Sequence, residues 1–282
     1  MFSPARNPYP FHKMALAPLV TEEPQSILDS LQDLDRNDQE SLVDFILASG
    51  LGPLWNELLH RTNKSGVFSE GLLDKIKASS RPAAIGYLVQ HQALFKAAAI
   101  FKKEAIPYAV YKGVHIREII YDKPAIRPAA DIDILIATAD KEQAIRALTG
   151  SGFAFHPLAQ NVSHEVTLTA GHTSIDLLWH ILRPGRLRKD MTDDFLATRR
   201  EFPSHWGLSN EATLFVILVH PVFTKYSTTP QASLVRMVDL VRWIQTVGHG
   251  EINNVISLPQ QEASYPREFD HNFKFYPSNK VK

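Results

Sequence analysis

The sequence predicts an α/β fold, a strand, helix, strand, helix, hairpin core set between two all-helical parts. Three observations lead there. From about Pro24 to Ile106 the apolar residues recur at helical spacing, as in "ESLVDFILASG" and "IGYLVQHQALFKAAAIFKKEAI". After Pro107 the texture shifts to short β-type runs, of which "DIDILIA", starting at Asp131, alternates acidic and apolar residues. Helical spacing then returns in "SNEATLFVILVHPVF" and "ASLVRMVDLVRWIQTV".

Taken in order, residues 1–23 read as a flexible N-terminal arm, because Pro18 interrupts an apolar run too short for a signal-peptide core. Residues 24–106 read as a helical layer with breaks expected at Gly50, Gly52-Pro53 and Arg81-Pro82. The core is assigned to residues 107–205. There "YAVY" is a strand ending at Lys112-Gly113, "VHIREIIY" a helix, "DKPAIRPAA" a loop and "DIDILIA" a strand. Thr138 is placed to cap the next helix, with Asp140 and Glu142 in its first turn and Gly150 and Gly152 at its close. "SHEVTLTA" and "TSIDLLWHI" form a hairpin turning at Gly171-His172. Residues 206–247 are a helical C-terminal part, and 248–282, which lose all period, an irregular or disordered tail.

Bulk composition narrows the function. A 282-residue chain that is 44% hydrophobic can bury a full core, so the protein is a folded one. Lys+Arg and Asp+Glu are 30 each, so no global field draws it to nucleic acid or anionic membrane. The lack of cysteine removes disulfides, thiolate nucleophiles and Cys-bound zinc, and leaves the cytoplasm as the expected compartment. No run of about 18 uncharged apolar residues occurs, so no membrane-spanning helix is expected.

The chemistry sits on the strands. In an extended strand alternate side chains share a face, so Asp131 and Asp133 point the same way, roughly 6–7 Å apart, while Ile132 and Ile134 point into the core. Their repulsion is relieved by a divalent cation, and hard cations such as Mg²⁺ take carboxylate oxygens. Asp176 interrupts "TSIDLLW" in the same way, and reaches the same site if the hairpin pairs beside "DIDILIA". Three carboxylates suit two metal ions and an in-line displacement at phosphorus. Lys112 and Gly113, where a strand gives way to a helix, suit a phosphate: the helix end offers free N–H groups, glycine allows close approach and lysine adds charge. Arg127, four residues before Asp131, is a second candidate phosphate contact, with a surface pairing to Asp122 or Glu118 as its structural alternative. His164 is a candidate substrate contact. His180 falls on the face of Asp176 but roughly 13 Å along the strand, too far to share an ion.

Strand-Gly-helix, then Asp-x-Asp on the next strand, then a lone Asp on a later one, resembles the DNA polymerase β-like nucleotidyltransferase superfamily. More narrowly, "YKG", "IRPAADIDILI", "SIDLLW", Val219-His220 and "RMVDL" resemble its uncharacterised bacterial nucleotidyltransferase family, often found in natural-product and peptide-modification gene clusters, over about Ala99 to Trp243. The resemblance implies a small mixed sheet flanked by helices and Mg²⁺-dependent transfer of NMP from an NTP such as ATP, with pyrophosphate released. It implies two ions, with Mn²⁺ as a substitute. By that match Asp131, Asp133 and Asp176 are metal-binding and catalytic, and Lys112, Gly113 and Arg127 contact the nucleotide. Gly113 is followed by Val114 where the superfamily usually has Gly-Ser or Gly-Gly.

The acceptor expected is a small molecule or peptide. Alternatives are a binding module of the same fold with weakened phosphate contacts, a metal-dependent phosphohydrolase, or a toxin-like enzyme acting on tRNA. RNA is the less favoured partner, since "RPGRLRK", Arg183 to Lys189, is the one basic stripe that could hold it.

Overall fold

In the computed structural model, residues 9–157, 164–224 and 234–247 are described, and the expectation for the tail lies outside them. The N-terminal part is helical: α1 (Tyr9–Val20), α2 (Gln25–Ser30), α3 (Arg36–Ala48), α4 (Gly52–Arg61) and α5 (Glu70–Lys103). Asp35 caps α3 by accepting the Asp38 N–H at 2.8 Å, and Gly50, at φ +69°, turns the chain out of its end. Gly52 opens α4 so near to α5 that a Cβ there would stand 2.4 Å from Ser79 Oγ.

Two expectations change here. Part of the presumed arm is α1, whose Ala15 and Leu19 are buried and whose Ala15 carbonyl accepts the Trp55 indole N–H at 2.9 Å. An apolar face that meets a core outweighs the break signalled by Pro18. Nor does the chain break at Arg81-Pro82: α5 runs through it for 34 residues. Pro82 is exposed, as is Ala78 four residues earlier, so the carbonyl deprived of its donor lies where water reaches.

The core follows as β1 (Tyr108–Tyr111), α6 (Lys112–Ile120), β2 (Asp131–Ile136), α7 (Lys141–Gly150), β3 (Ala154–Phe155), β4 (Glu165–Ala170), β5 (Thr173–Leu178), α8 (Thr192–Ala197), β6 (Arg200–Glu201) and β7 (Trp206–Gly207). The strands form one mixed sheet in the order β3-β4-β5-β2-β1-β7-β6. β2–β5 and β1–β7 are parallel and the rest antiparallel, and the β4–β5 hairpin turns at Gly171, φ +63°. The two-residue strands β3, β6 and β7 are too short for an alternation signal and went unforeseen. Thr138 does not cap α7: its hydroxyl donates to the Trp179 carbonyl at 3.1 Å, tying the ends of β2 and β5 together.

The sheet separates two apolar clusters. On one face Val110, Ile132, Ile134, Ile136, Ile175, Leu177 and Trp179 pack under the second half of α5 and under α7. On the other, Ala109, Tyr111, Leu135 and Leu178 join a larger core made by α1 to α4, α6, α8 and the final helices α9 (Asn210–Thr224) and α10 (Leu234–Val247). This second face carries the acidic residues. The first and last described helices meet across it, where Gln245 Nε2 of α10 donates to the Val20 carbonyl of α1 at 3.0 Å.

Candidate active site

Strand register assembles the site. Tyr111 on β1 stands opposite Asp133 on β2, Asp133 opposite Asp176 on β5, and Asp176 opposite Thr167 on β4. Two residue pairs along, Asp131 stands opposite Ser174. Paired residues of neighbouring strands share a face, so the three aspartates lie side by side, Asp133 and Asp176 one strand spacing of about 4.8 Å apart. The hairpin does lie against "DIDILIA", as the third carboxylate required.

The cluster is electrostatically tense. Burial, with Asp131 and Asp176 adding like charge, pushes the Asp133 carboxyl up to about 7 against the pull of Lys112. Asp176 is also raised, chiefly by burial, although the Thr167 hydroxyl donates to its Oδ1 at 2.7 Å. Lys112 forms an ion pair with Asp133, and its Nζ lies 4.8 Å from the centre of the Tyr111 ring. Burial alone would depress the ammonium; the Asp133 carboxylate outweighs it and holds the lysine protonated. Lys112 adopts φ +57°, a left-handed conformation that costs a side-chain-bearing residue roughly 1–3 kcal/mol. The turn from β1 into α6 thus holds a lysine under strain beside the carboxylates.

Could these residues hold a metal? The donors are all carboxylate oxygens, the hard set that Mg²⁺ takes, and the row places them on adjacent positions. Yet among the described residues no three acidic or histidine side chains gather their donors about one point. Asp133 is turned to Lys112, and one oxygen of Asp176 to Thr167. The strand register that sets the three carboxylates side by side is what suits hard cations; to meet one, Asp133 would turn from Lys112 and Asp176 from Thr167.

Gly113 and Arg127 are engaged with each other. A Cβ on Gly113 would stand 2.5 Å from Arg127 Nη1, so the glycine admits a guanidinium. Arg127 is 5% exposed, and its partner is neither Asp122 nor Glu118 but Asp239 of α10, at 2.6 Å from Nη2 and 3.3 Å from Nε, while Nη1 donates to the Pro128 carbonyl. Asp239 also accepts the Tyr121 hydroxyl at 2.8 Å. Both were missed as a pair. An aspartate on the apolar face of "LVRMVDLVRWI" was the available signal, because a lone buried carboxylate requires a cation.

His164 is buried, with Nδ1 lacking a partner among the described residues and Nε2 3.6 Å from Glu165. Burial first, then the nearby Arg183, His180 and Lys112, lower its pKa. His180 pairs with Asp190. In the basic stripe, Lys189 pairs with Asp194 at 3.2 Å, while Arg183, Arg186 and Arg188 are exposed.

The helices of the described residues include none long and apolar enough to cross a membrane. Residues 35–257 match the model of a family described as uncharacterised nucleotidyltransferase. Among solved structures, ANT(2″)-Ia in complex with adenylyl-2″-tobramycin is similar with a TM-score of 0.47 at 11% identity, over 62% of this chain and 99% of that one. A solution structure of the antibiotic-resistance factor ANT(2″)-Ia gives 0.45 at 9% identity, over 62% of this chain and 92% of that one. No curated protein matches the sequence.

Proposed function

The chain belongs to the uncharacterised nucleotidyltransferase family, and we propose that it moves NMP from an NTP to a hydroxyl or phosphate of a small molecule or peptide in the cytoplasm, releasing pyrophosphate. The observation that carries this reading is the register of Asp133 opposite Asp176, with Asp131 beside them and the Lys112-Gly113 junction at the same end of the sheet. Few structural needs would bring three carboxylates to one half-buried row.

Asp131, Asp133 and Asp176 would hold two Mg²⁺ ions, which supply charge neutralisation at the reacting phosphate and at the leaving oxygens. Asp176 takes the proton of the acceptor hydroxyl. The Thr167 hydroxyl, donating to Asp176 Oδ1 at 2.7 Å, holds the carboxylate in place for that role. The acceptor oxygen bonds to the α-phosphorus as the bond from that phosphorus to the β-phosphate bridging oxygen breaks. Lys112 and the first N–H groups of α6 receive phosphate charge. Arg127, fixed on Asp239, acts by holding α10 against this junction.

The test is incubation with α-labelled NTPs, Mg²⁺ and a panel of hydroxylated small molecules and peptides, with the protein and its Asp131→Asn form compared. Label transfer and pyrophosphate release by the parent, both lost in the variant, are expected. Equal labelling by the two proteins, or release of orthophosphate instead, would refute the assignment.

A further inference from the structure

Arg236 was given no role by the sequence, and the site as described leaves the phosphates of a bound nucleotide one lysine and a helix end. Its position follows from the α10 lock. Asp239 is fixed to Arg127, and Arg127 touches the start of α6 at Gly113. Arg236 precedes Asp239 by three residues, so it lies on the same side of α10, about 4.5 Å further along the axis. It is half-buried, and among the described residues it has no ion-pair partner within 4.0 Å and no hydrogen bond. The charges acting on it are Arg127, Asp133, Asp239 and Asp131; burial followed by Arg127 lowers its pKa.

A half-buried guanidinium on the same side of α10 as Asp239, with Asp133 and Asp131 among the charges acting on it yet bonded to neither among the described residues, is unusual, since an arginine in reach of a carboxylate normally takes it in a forked pair. Asp239 is taken by Arg127 and Asp133 by Lys112. Resting on the nucleotidyltransferase reading above, we infer that Arg236 is a binding residue for the triphosphate of the NTP, presented by α10. Its planar fork meets two phosphate oxygens at once, and its charge offsets what the three aspartates repel. The Arg127–Asp239 pair is then the positioning device that sets its depth. The final helix belongs to the nucleotide site.

The experiment is calorimetric titration of the full chain with a non-transferable α,β-methylene NTP and Mg²⁺, and separately with the nucleoside. Arg236→Gln should weaken the triphosphate analogue by roughly 10–100-fold, the range of one or two charge-assisted hydrogen bonds, and leave nucleoside affinity unchanged. Arg236→Lys, which keeps the charge without the fork, should lie between. Melting temperatures of both should stay within about 2 °C of the parent, since no ion pair is lost. If Gln lowers the melting temperature further, Lys alone decides: an affinity equal to the parent's then overturns the inference. Unchanged analogue binding in a folded Arg236→Gln overturns it and leaves the proposed reaction standing. If the parent binds none of the α,β-methylene analogues of ATP, GTP, CTP and UTP, the reaction fails and the inference falls with it.

Discussion

Removing the Arg127 charge should unfold the site from behind. In Arg127→Met the Asp239 carboxylate, 1% exposed at its side chain, keeps only the Tyr121 hydroxyl at 2.8 Å and loses two guanidinium bonds. A buried ion deprived of its partner costs about 3–5 kcal/mol, because the desolvation already incurred is no longer offset. For a chain of this size that is a fall in melting temperature of about 10 °C. Replacing both partners, Arg127→Met with Asp239→Leu, removes the buried charge as well, so most of the loss should return. Urea unfolding of the parent, both single variants and the double variant measures the cycle, and the coupling should exceed about 2 kcal/mol. Gly113→Ala belongs to the same construction. Its methyl would press on Arg127 Nη1 from 2.5 Å and should destabilise by about 1–3 kcal/mol, less in the Arg127→Met background where that atom is gone. The reasoning fails if the single variants lose under about 1 kcal/mol each, or if their losses simply add.

Other outcomes are expected. Mg²⁺ should raise the melting temperature of the parent, approaching about 2.7 kcal/mol of stabilisation at a hundredfold excess over Kd, and should do so much less in Asp133→Asn, as read by thermal melts with EDTA as the reference. His115 and His205, joined at 2.9 Å, are pushed down by burial to about 3 and about 4, so the folded chain binds fewer protons than the unfolded one from about pH 6.5 down to 4. Stability should therefore fall as pH drops through that window, and more shallowly in His205→Gln; equal slopes in denaturant titrations at several pH values would contradict it. Pro82→Ala restores an amide donor inside α5 and should stabilise by roughly 1–3 kcal/mol, with no change in nucleotide binding.

The helical and strand assignments that could be read directly are those whose signal is long or strictly alternating, such as α10 and β2. α1 was hidden because a proline was weighed without the Trp55 partner that anchors it. β3, β6 and β7, two residues each, are strands only because a neighbour completes their hydrogen bonds. For the site, the three aspartates were legible since each interrupts an apolar strand. Arg236 was not, for on a helix an exposed arginine and a half-buried one have the same spacing.

The sequence by itself determined that Asp131 and Asp133 share a face, because a strand's period of two is a local property of its backbone. It equally determined that a lysine and a glycine stand where a strand turns into a helix. Only the tertiary structure decided that Asp176 comes opposite Asp133 and that Arg127 closes on Asp239 across 112 positions. Those are choices among partners distant in the chain. They are made by how burial and charge pair across the whole molecule, a free energy that no short stretch of residues carries.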